Sequence, residues 1–132
     1  MQNNGAATPA LQTVLIADDE PSLRLLVSVT IASDQYRVLE AEDGDAAWDL
    51  LLQYRPAVAL LDVAMPGRSG LDLTRAIRAQ PELAATHVIL LTAKAQAADL
   101  RAGREAGADH YLTKPFSPLE LLTLLERTLV LS

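Results

Sequence analysis

The stretch Ala57-Val58-Ala59-Leu60-Leu61-Asp62 constrains this chain more than any other, because an apolar run ends there on a single carboxylate. Pro56 bounds it on one side, and the turn-prone Met65-Pro66-Gly67 and Ser69-Gly70 follow on the other. A short apolar run without polar alternation reads as a strand covered on both faces, the habit of parallel strands flanked by helices. Asp62 then falls at the strand's carboxyl end, where open α/β sheets hold their ligands. Two further stretches end in the same way. Leu15-Ile16-Ala17 closes on Asp18-Asp19, and His110-Tyr111-Leu112-Thr113 closes on Lys114-Pro115.

Between these strands the period changes to that of helices. Thr13 to Ala17 reads as a first strand, and Pro21 opens a helix whose inner positions are Leu23, Leu26, Val27, Thr30 and Ile31. Tyr36 to Leu39 is a second strand. Asp43-Gly44 starts a second helix with Ala47, Leu50, Leu51 and Tyr54 inward, and Pro56 stops it. Ser69 and Asp72 form a weak capping box for a third helix, with Leu71, Thr74 and Ile77 inward. His87 to Leu91 is a fourth strand ending at Thr92. Helix four covers Ala97 to Ala106, with Gly107 as its C-cap. Asp109 to Thr113 is strand five. Ser117-Pro118-Leu119-Glu120 combines an N-cap serine, an N1 proline and a capping-box glutamate, and starts a helix that runs to Val130. Five βα units in a row predict an α/β doubly wound fold: a five-stranded parallel sheet with helices on both faces.

Bulk properties narrow the function. The 132 residues fit one domain, expected to span 13–131 after a flexible lead-in at 1–12. A net charge of −6 argues against direct nucleic-acid binding, and the absence of cysteine removes thiolate catalysis and Cys-type zinc sites. No apolar run approaches a membrane span, and the polar N-terminus has no signal-peptide pattern, so a cytoplasmic location is expected.

In such a fold Asp18, Asp19, Asp62, Thr92 and Lys114 share one edge of the sheet. Clustered carboxylates repel unless a cation joins them, and hard oxygen ligands with room for water suit Mg²⁺. A lysine and a hydroxyl beside that ion suit a phosphoryl group. The residue chemistry thus suggests a carboxylate nucleophile that receives phosphoryl. Taken singly, each of these residues has a blander reading: paired acids cap helices, strand-end aspartates make turns, and Lys-Pro is usually a loop.

The set Ala17-Asp18-Asp19-Glu20, Leu61-Asp62 with Met65-Pro66-Gly67 and Gly70, Leu91-Thr92-Ala93, and Tyr111-Leu112-Thr113-Lys114-Pro115-Phe116 resembles the receiver domain of two-component response regulators. The resemblance covers Thr13 to Leu129. It implies a flavodoxin-like (βα)5 fold and transfer of phosphoryl to Asp62 from a sensor histidine kinase or a histidine phosphotransfer protein. It implies Mg²⁺ held by Asp19, Asp62 and the Ala64 backbone carbonyl, with Asp18 acting mainly through a water. Lys114 would pair with the phosphoryl, Thr92 would hydrogen-bond it, and the Lys114–Pro115 bond would be cis. Thr92 and Tyr111 would form the switch that reaches the surface of helix four, strand five and helix five. Ala64 and Lys94 fall at positions that the family ties to phosphoryl lifetime.

Several features lie outside that pattern. The leucines of helix five exceed one buried stripe: Leu122, Leu125 and Leu129 are expected to face the sheet. Leu121 and Leu124 are then left, with Arg101 and Arg104 of helix four, for a homodimer or partner surface. Arg75 and Arg78 are expected on a solvated face, and His87 and His110 as strand histidines without chemistry. Trp48 falls in helix two, not beside Asp62, and is expected to be a poor reporter of metal binding. Among rival functions, an aspartyl-nucleophile phosphatase wants a second acid where Ala64 stands. A dinucleotide site wants glycines where Asp18-Asp19-Glu20-Pro21 stands. A receiver-like interaction module that is never phosphorylated is the remaining alternative.

Overall fold

The computed structural model describes residues 11–32, 35–93 and 97–130. The elements run β1 (Gln12–Ala17), α1 (Pro21–Ile31), β2 (Tyr36–Ala41), α2 (Gly44–Tyr54), β3 (Val58–Asp62), α3 (Gly70–Ala79), a 3-10 turn (Pro81–Leu83), β4 (His87–Thr92), α4 (Ala97–Ala106), β5 (His110–Thr113) and α5 (Pro118–Val130). All strand pairs are parallel, in the order β2-β1-β3-β4-β5. That is the flavodoxin-like doubly wound order, whose switch point lies between β1 and β3. No described helix is long and apolar enough to cross a membrane.

Alternation in the central strands builds two cores. Leu15, Ala59, Leu61, Val88 and Leu90 point to one face, where Ala47 and Leu51 of α2 and Leu73 and Ile77 of α3 cover them. Val14, Ile16, Val58, Leu60, Ile89 and Leu91 point to the other, under Val27 and Ile31 of α1 and Leu121 and Leu125 of α5. Both faces being apolar explains the unbroken run in β3, every residue of which is buried.

The helix boundaries follow local chemistry. Asp43 caps α2 by accepting the Ala46 N–H at 2.8 Å, and Ser69 caps α3 by accepting the Asp72 N–H at 3.1 Å. Ser117 and Glu120 form the reciprocal capping box of α5, each bond 3.1 Å. Gly107 ends α4 at φ +106°, a left-handed conformation that favours glycine.

Some expectations need correction. Leu121 is fully buried and cannot belong to an exposed interface, while Leu124 is half-buried against the same core. The inner stripe of α5 is Leu121, Leu125 and Thr128. Thr128 hides its hydroxyl by donating to the Leu124 carbonyl at 2.7 Å, so a polar residue completes an i, i+4, i+7 stripe that leucines alone seemed to define. In α3, Leu73 is buried and Leu71 only half-buried, and Thr74 is buried by a 2.7 Å bond to the Gly70 carbonyl. Tyr54 is exposed, with the Arg37 guanidinium 5.1 Å from its ring centre. Arg78 is not solvated: it donates to the Gly107 carbonyl (2.8 Å), the Thr86 carbonyl (2.9 Å) and the Asp109 carboxylate (2.7 Å), tying α3 to the loops beside β4 and β5. Gln12, assigned to the lead-in, is the first residue of β1.

Placing Leu121 in the core gives a direct test. Leu121→Ala is expected to cost about 2–4 kcal/mol and Leu124→Ala distinctly less. Equilibrium urea denaturation checks the difference; equal small losses would put Leu121 back on the surface.

Candidate functional site: an acidic pocket at the sheet edge

The register brings the acids together. Ala17 of β1 pairs with Leu61 of β3, so the next residues, Asp18 and Asp62, end adjacent parallel strands. Carboxylate oxygens of Asp18, Asp19 and Asp62 all lie within 4.8 Å of one another. Asp18 is fully buried, Asp62 nearly so, and Asp19 is exposed at the mouth.

Lys114 reaches this cluster from β5, three strands away from β1 and so roughly 14 Å across the sheet. The Lys114 and aspartate side chains close that distance across the sheet edge. The Lys114 N–H donates to the Thr92 carbonyl at 2.8 Å, the Lys114–Pro115 peptide is cis, and α5 packs beside α1. The Lys114 Nζ then lies 2.7 Å from Asp18 Oδ2, 3.3 Å from Asp62 Oδ2 and 3.9 Å from Glu20 Oε1.

The three aspartates differ in what they have left to offer. Asp18 is engaged at both oxygens: Oδ2 takes Lys114 at 2.7 Å, and Oδ1 accepts the Glu20 N–H at 2.9 Å. Among the described residues, Asp62 is held more loosely: Oδ1 accepts the Ala64 N–H at 3.2 Å and Oδ2 faces the Lys114 ammonium at 3.3 Å. Burial and, next, the Asp18 charge push the Asp62 carboxyl above the ordinary carboxylate range, and the pull of Lys114 and the Ala64 N–H only partly reverses this. For Lys114, burial opposes the charged form, but the bond to Asp18 and the charges of Asp62 and Asp18 outweigh it, and its pKa rises. Thr92 is buried at the end of β4 and lines, with Asp62, Lys114 and Tyr111, a cavity of about 390 Å³. Tyr111 is half-buried, and its hydroxyl donates to the Leu100 carbonyl of α4. Gly103 makes room for it, since a Cβ there would lie 2.6 Å from the ring.

A divalent cation fits this donor set. The oxygens are hard, one carboxylate is open to solvent, and among the described residues Lys114 alone leaves the carboxylates in excess, an acidic triad typical of an Mg²⁺ site. Ala64 is exposed beside Asp62. Lys94 lies outside the described residues, and Arg101 and Arg104 are exposed on α4.

Residues that the sequence did not single out also shape the site. Arg24 lies one turn into α1, donates to the Asp18 carbonyl at 2.6 Å and pairs with Glu40 of β2 at 3.5 Å. An arginine one turn into a helix reads as a solvated position, and nothing in the local pattern marks its bond back to the Asp18 carbonyl. The cation partner of Trp48 is Arg68, in the loop after Asp62, with the guanidinium 5.0 Å from the ring centre.

The raised Asp62 pKa has a definite sign. A carboxylate whose folded pKa is raised destabilises the folded chain when ionised, and that cost disappears below the unfolded value. Lys114 behaves oppositely: its contribution is complete below the ordinary lysine value and lost as pH rises through the elevated one. Without divalent cations, Asp62→Asn is therefore expected to stabilise the protein at neutral pH on the order of 1 kcal/mol. The gain should vanish as pH falls below about 4. Thermal denaturation of both proteins across that range checks it; a destabilising Asp62→Asn at neutral pH would contradict the charge balance.

Known proteins place this geometry in context. The family model for the response regulator receiver domain matches residues 14–126. The phosphate regulon transcriptional regulatory protein PhoB of Pseudomonas aeruginosa is 38% identical over 118 residues, covering 89% of this chain and 52% of PhoB. The chain thus spans about half the length of the curated relatives it matches. Among solved structures, the chemotaxis response regulator CheY4 of Vibrio cholerae superposes with a TM-score of 0.85 at 34% identity, covering 90% of this chain and 99% of that one. The BeF3-activated receiver domain of DrrB superposes with a TM-score of 0.80 at 33% identity, over 91% of this chain and 98% of that one. The fold, the acidic pocket consistent with a phosphoacceptor site and the family match agree: the chain belongs to the response regulator receiver domains of two-component signalling, which are signalling proteins and not turnover enzymes.

Proposed function

We propose that this domain is a phosphorylation-activated switch in which Asp62 accepts phosphoryl from a histidine kinase or histidine phosphotransfer protein. One observation carries the assignment of Asp62: of the two buried members of the triad it alone lines the cavity, and its contacts, 3.2 and 3.3 Å, are looser than the 2.9 and 2.7 Å contacts of Asp18. Asp18 is occupied by Lys114 and Glu20, and Asp19 faces solvent.

An oxygen of Asp62 attacks phosphorus in line with the phosphoramidate bond. The P–N bond breaks, its electron pair returns to the donor imidazole, and an acyl phosphate forms on Asp62. Mg²⁺ held by Asp19, Asp62 and the Ala64 carbonyl, with Asp18 behind it, would supply charge neutralisation. Lys114 has a second role. With its Nζ already 3.3 Å from Asp62 Oδ2, it need only exchange Asp18 for a phosphoryl oxygen. Thr92 donates to another of those oxygens, and Tyr111 occupies the space behind it in the shared cavity. The free energy of those contacts biases the surface formed by α4, β5 and α5, where Arg101, Arg104 and half-buried Leu124 face a homodimer or other output partner. Ala64 and Lys94 are assigned to the lifetime of the acyl phosphate.

A protein donor suits the surroundings. A groove lined by Leu23, exposed Leu26, Lys114, Pro115 and Phe116 lies beside the pocket, and Leu25 and Val29 of α1 and Leu119 of α5 are also exposed. An apolar rim of this kind fits docking of another helical surface.

The test is acid-quenched mass analysis after incubation with acetyl phosphate and Mg²⁺. Wild type is expected to gain the mass of one phosphoryl group, mapped by peptide analysis to Asp62. Asp62→Asn is expected to gain none, and Lys114→Met to gain at least about tenfold less. Equal labelling of wild type and Asp62→Asn would refute the assignment, and no labelling of wild type by acetyl phosphate or a phosphohistidine donor would favour an interaction module.

A further inference from the structure

The loop that leaves Asp62 does not stand alone. It is seated on the first turn of α2, an element that contributes no residue to the pocket. The Gly44 N–H donates to the Pro66 carbonyl at 3.2 Å. The approach is close: a Cβ on Gly44 would lie 2.1 Å from the Arg68 carbonyl oxygen and 2.7 Å from the Arg68 Cβ. Gly67 turns the loop at φ +75°, with Asp45 of α2 against it. Arg68 then folds back over α2, its guanidinium 5.0 Å from the Trp48 ring centre and 3.8 Å from Asp45 Oδ1. Both Arg68 and Asp45 are solvent-facing, so the ion pair adds little, and the backbone bond with the stacked ring holds the loop.

The same loop begins at Ala64, whose carbonyl the proposed function assigns to the cation. We propose that the first turn of α2 is the seat that positions this loop for divalent-cation binding, with Gly44, Arg68 and Trp48 as positioning residues. The inference rests on the cation site proposed above. It also reverses the expectation for Trp48: distant from Asp62 in sequence, it touches the segment that binding must order. It is the only tryptophan of the chain, so protein emission on selective excitation comes from a ring that Arg68 of this loop covers.

The seat is backbone-to-backbone at Gly44, so the pocket's own carboxylates are untouched by changes there. Gly44→Ala forces the loop outward without altering any ligand, and alanine in the first turn of a helix is itself tolerated. Arg68→Ala removes only the stacked lid and leaves the fold intact. Trp48→Phe keeps a ring under the guanidinium, whereas Trp48→Ala does not.

The experiment is titration with MgCl2, read in parallel by calorimetry and by Trp48 emission, with far-UV circular dichroism to verify folding. Wild type is expected to bind with a saturable emission change at the same midpoint. Gly44→Ala is expected to bind roughly tenfold more weakly, as loss of an outer support does at metal sites. Arg68→Ala and Trp48→Ala are expected to lose about threefold, with Trp48→Phe restoring near-wild-type affinity. Calorimetric binding unchanged across folded variants, or a flat Trp48 emission in wild type while calorimetry saturates, would overturn the seat and leave the cation site standing. Absence of calorimetric binding in wild type would overturn the cation reading, and the seat with it.

Discussion

The ammonium of Lys114 between Asp18 and Asp62 is the contact on which the rest of this domain depends. Two carboxylates buried at the ends of neighbouring strands are not tolerable without a cation, and Lys114 arrives from the far side of the sheet to supply one. It compensates incompletely, because Asp62 still has a raised pKa and Asp19 and Glu20 stand nearby. That residual negative charge is what a divalent cation would relieve. A stability cost is thus held at the place where ligand binding can remove it.

Everything else in the fold serves this contact. The two apolar faces of β1, β3 and β4 allow helices on both sides, and their parallel alignment delivers every strand end to one edge. The Lys114 backbone continues the β5 ladder to Thr92, α5 packs beside α1, and the Lys114 side chain reaches in to the acids. Arg24 and the first turn of α2 hold the two acid-bearing loops from outside, one from each side of the switch point. The chemistry sits in loops, but each loop is fixed by a helix that contributes nothing to the pocket itself.

How much of this was legible in the sequence depends on distance along the chain. The strand ends, the capping residues and the meeting of Asp18, Asp19, Asp62 and Lys114 follow from local pattern once the strands are parallel. Leu121 went astray because its stripe is completed by Thr128, a residue whose burial depends on a hydroxyl bond to its own helix. Arg78 went astray because its three partners lie in loops remote in sequence, and an arginine at helical spacing carries no sign of them. The seat of the Asp62 loop on α2 was invisible for the same reason: a glycine before a helix signals a start, not what presses against it.

The most direct measurement is a crystal structure of the domain with Mg²⁺ and beryllofluoride. The expected result is beryllium bonded to an oxygen of Asp62, a cation held by Asp19 and Asp62, and the Lys114 ammonium moved from Asp18 onto fluoride. Beryllofluoride bound elsewhere, or bound at Asp62 with Lys114 still on Asp18, would contradict a pocket built around an exchangeable lysine.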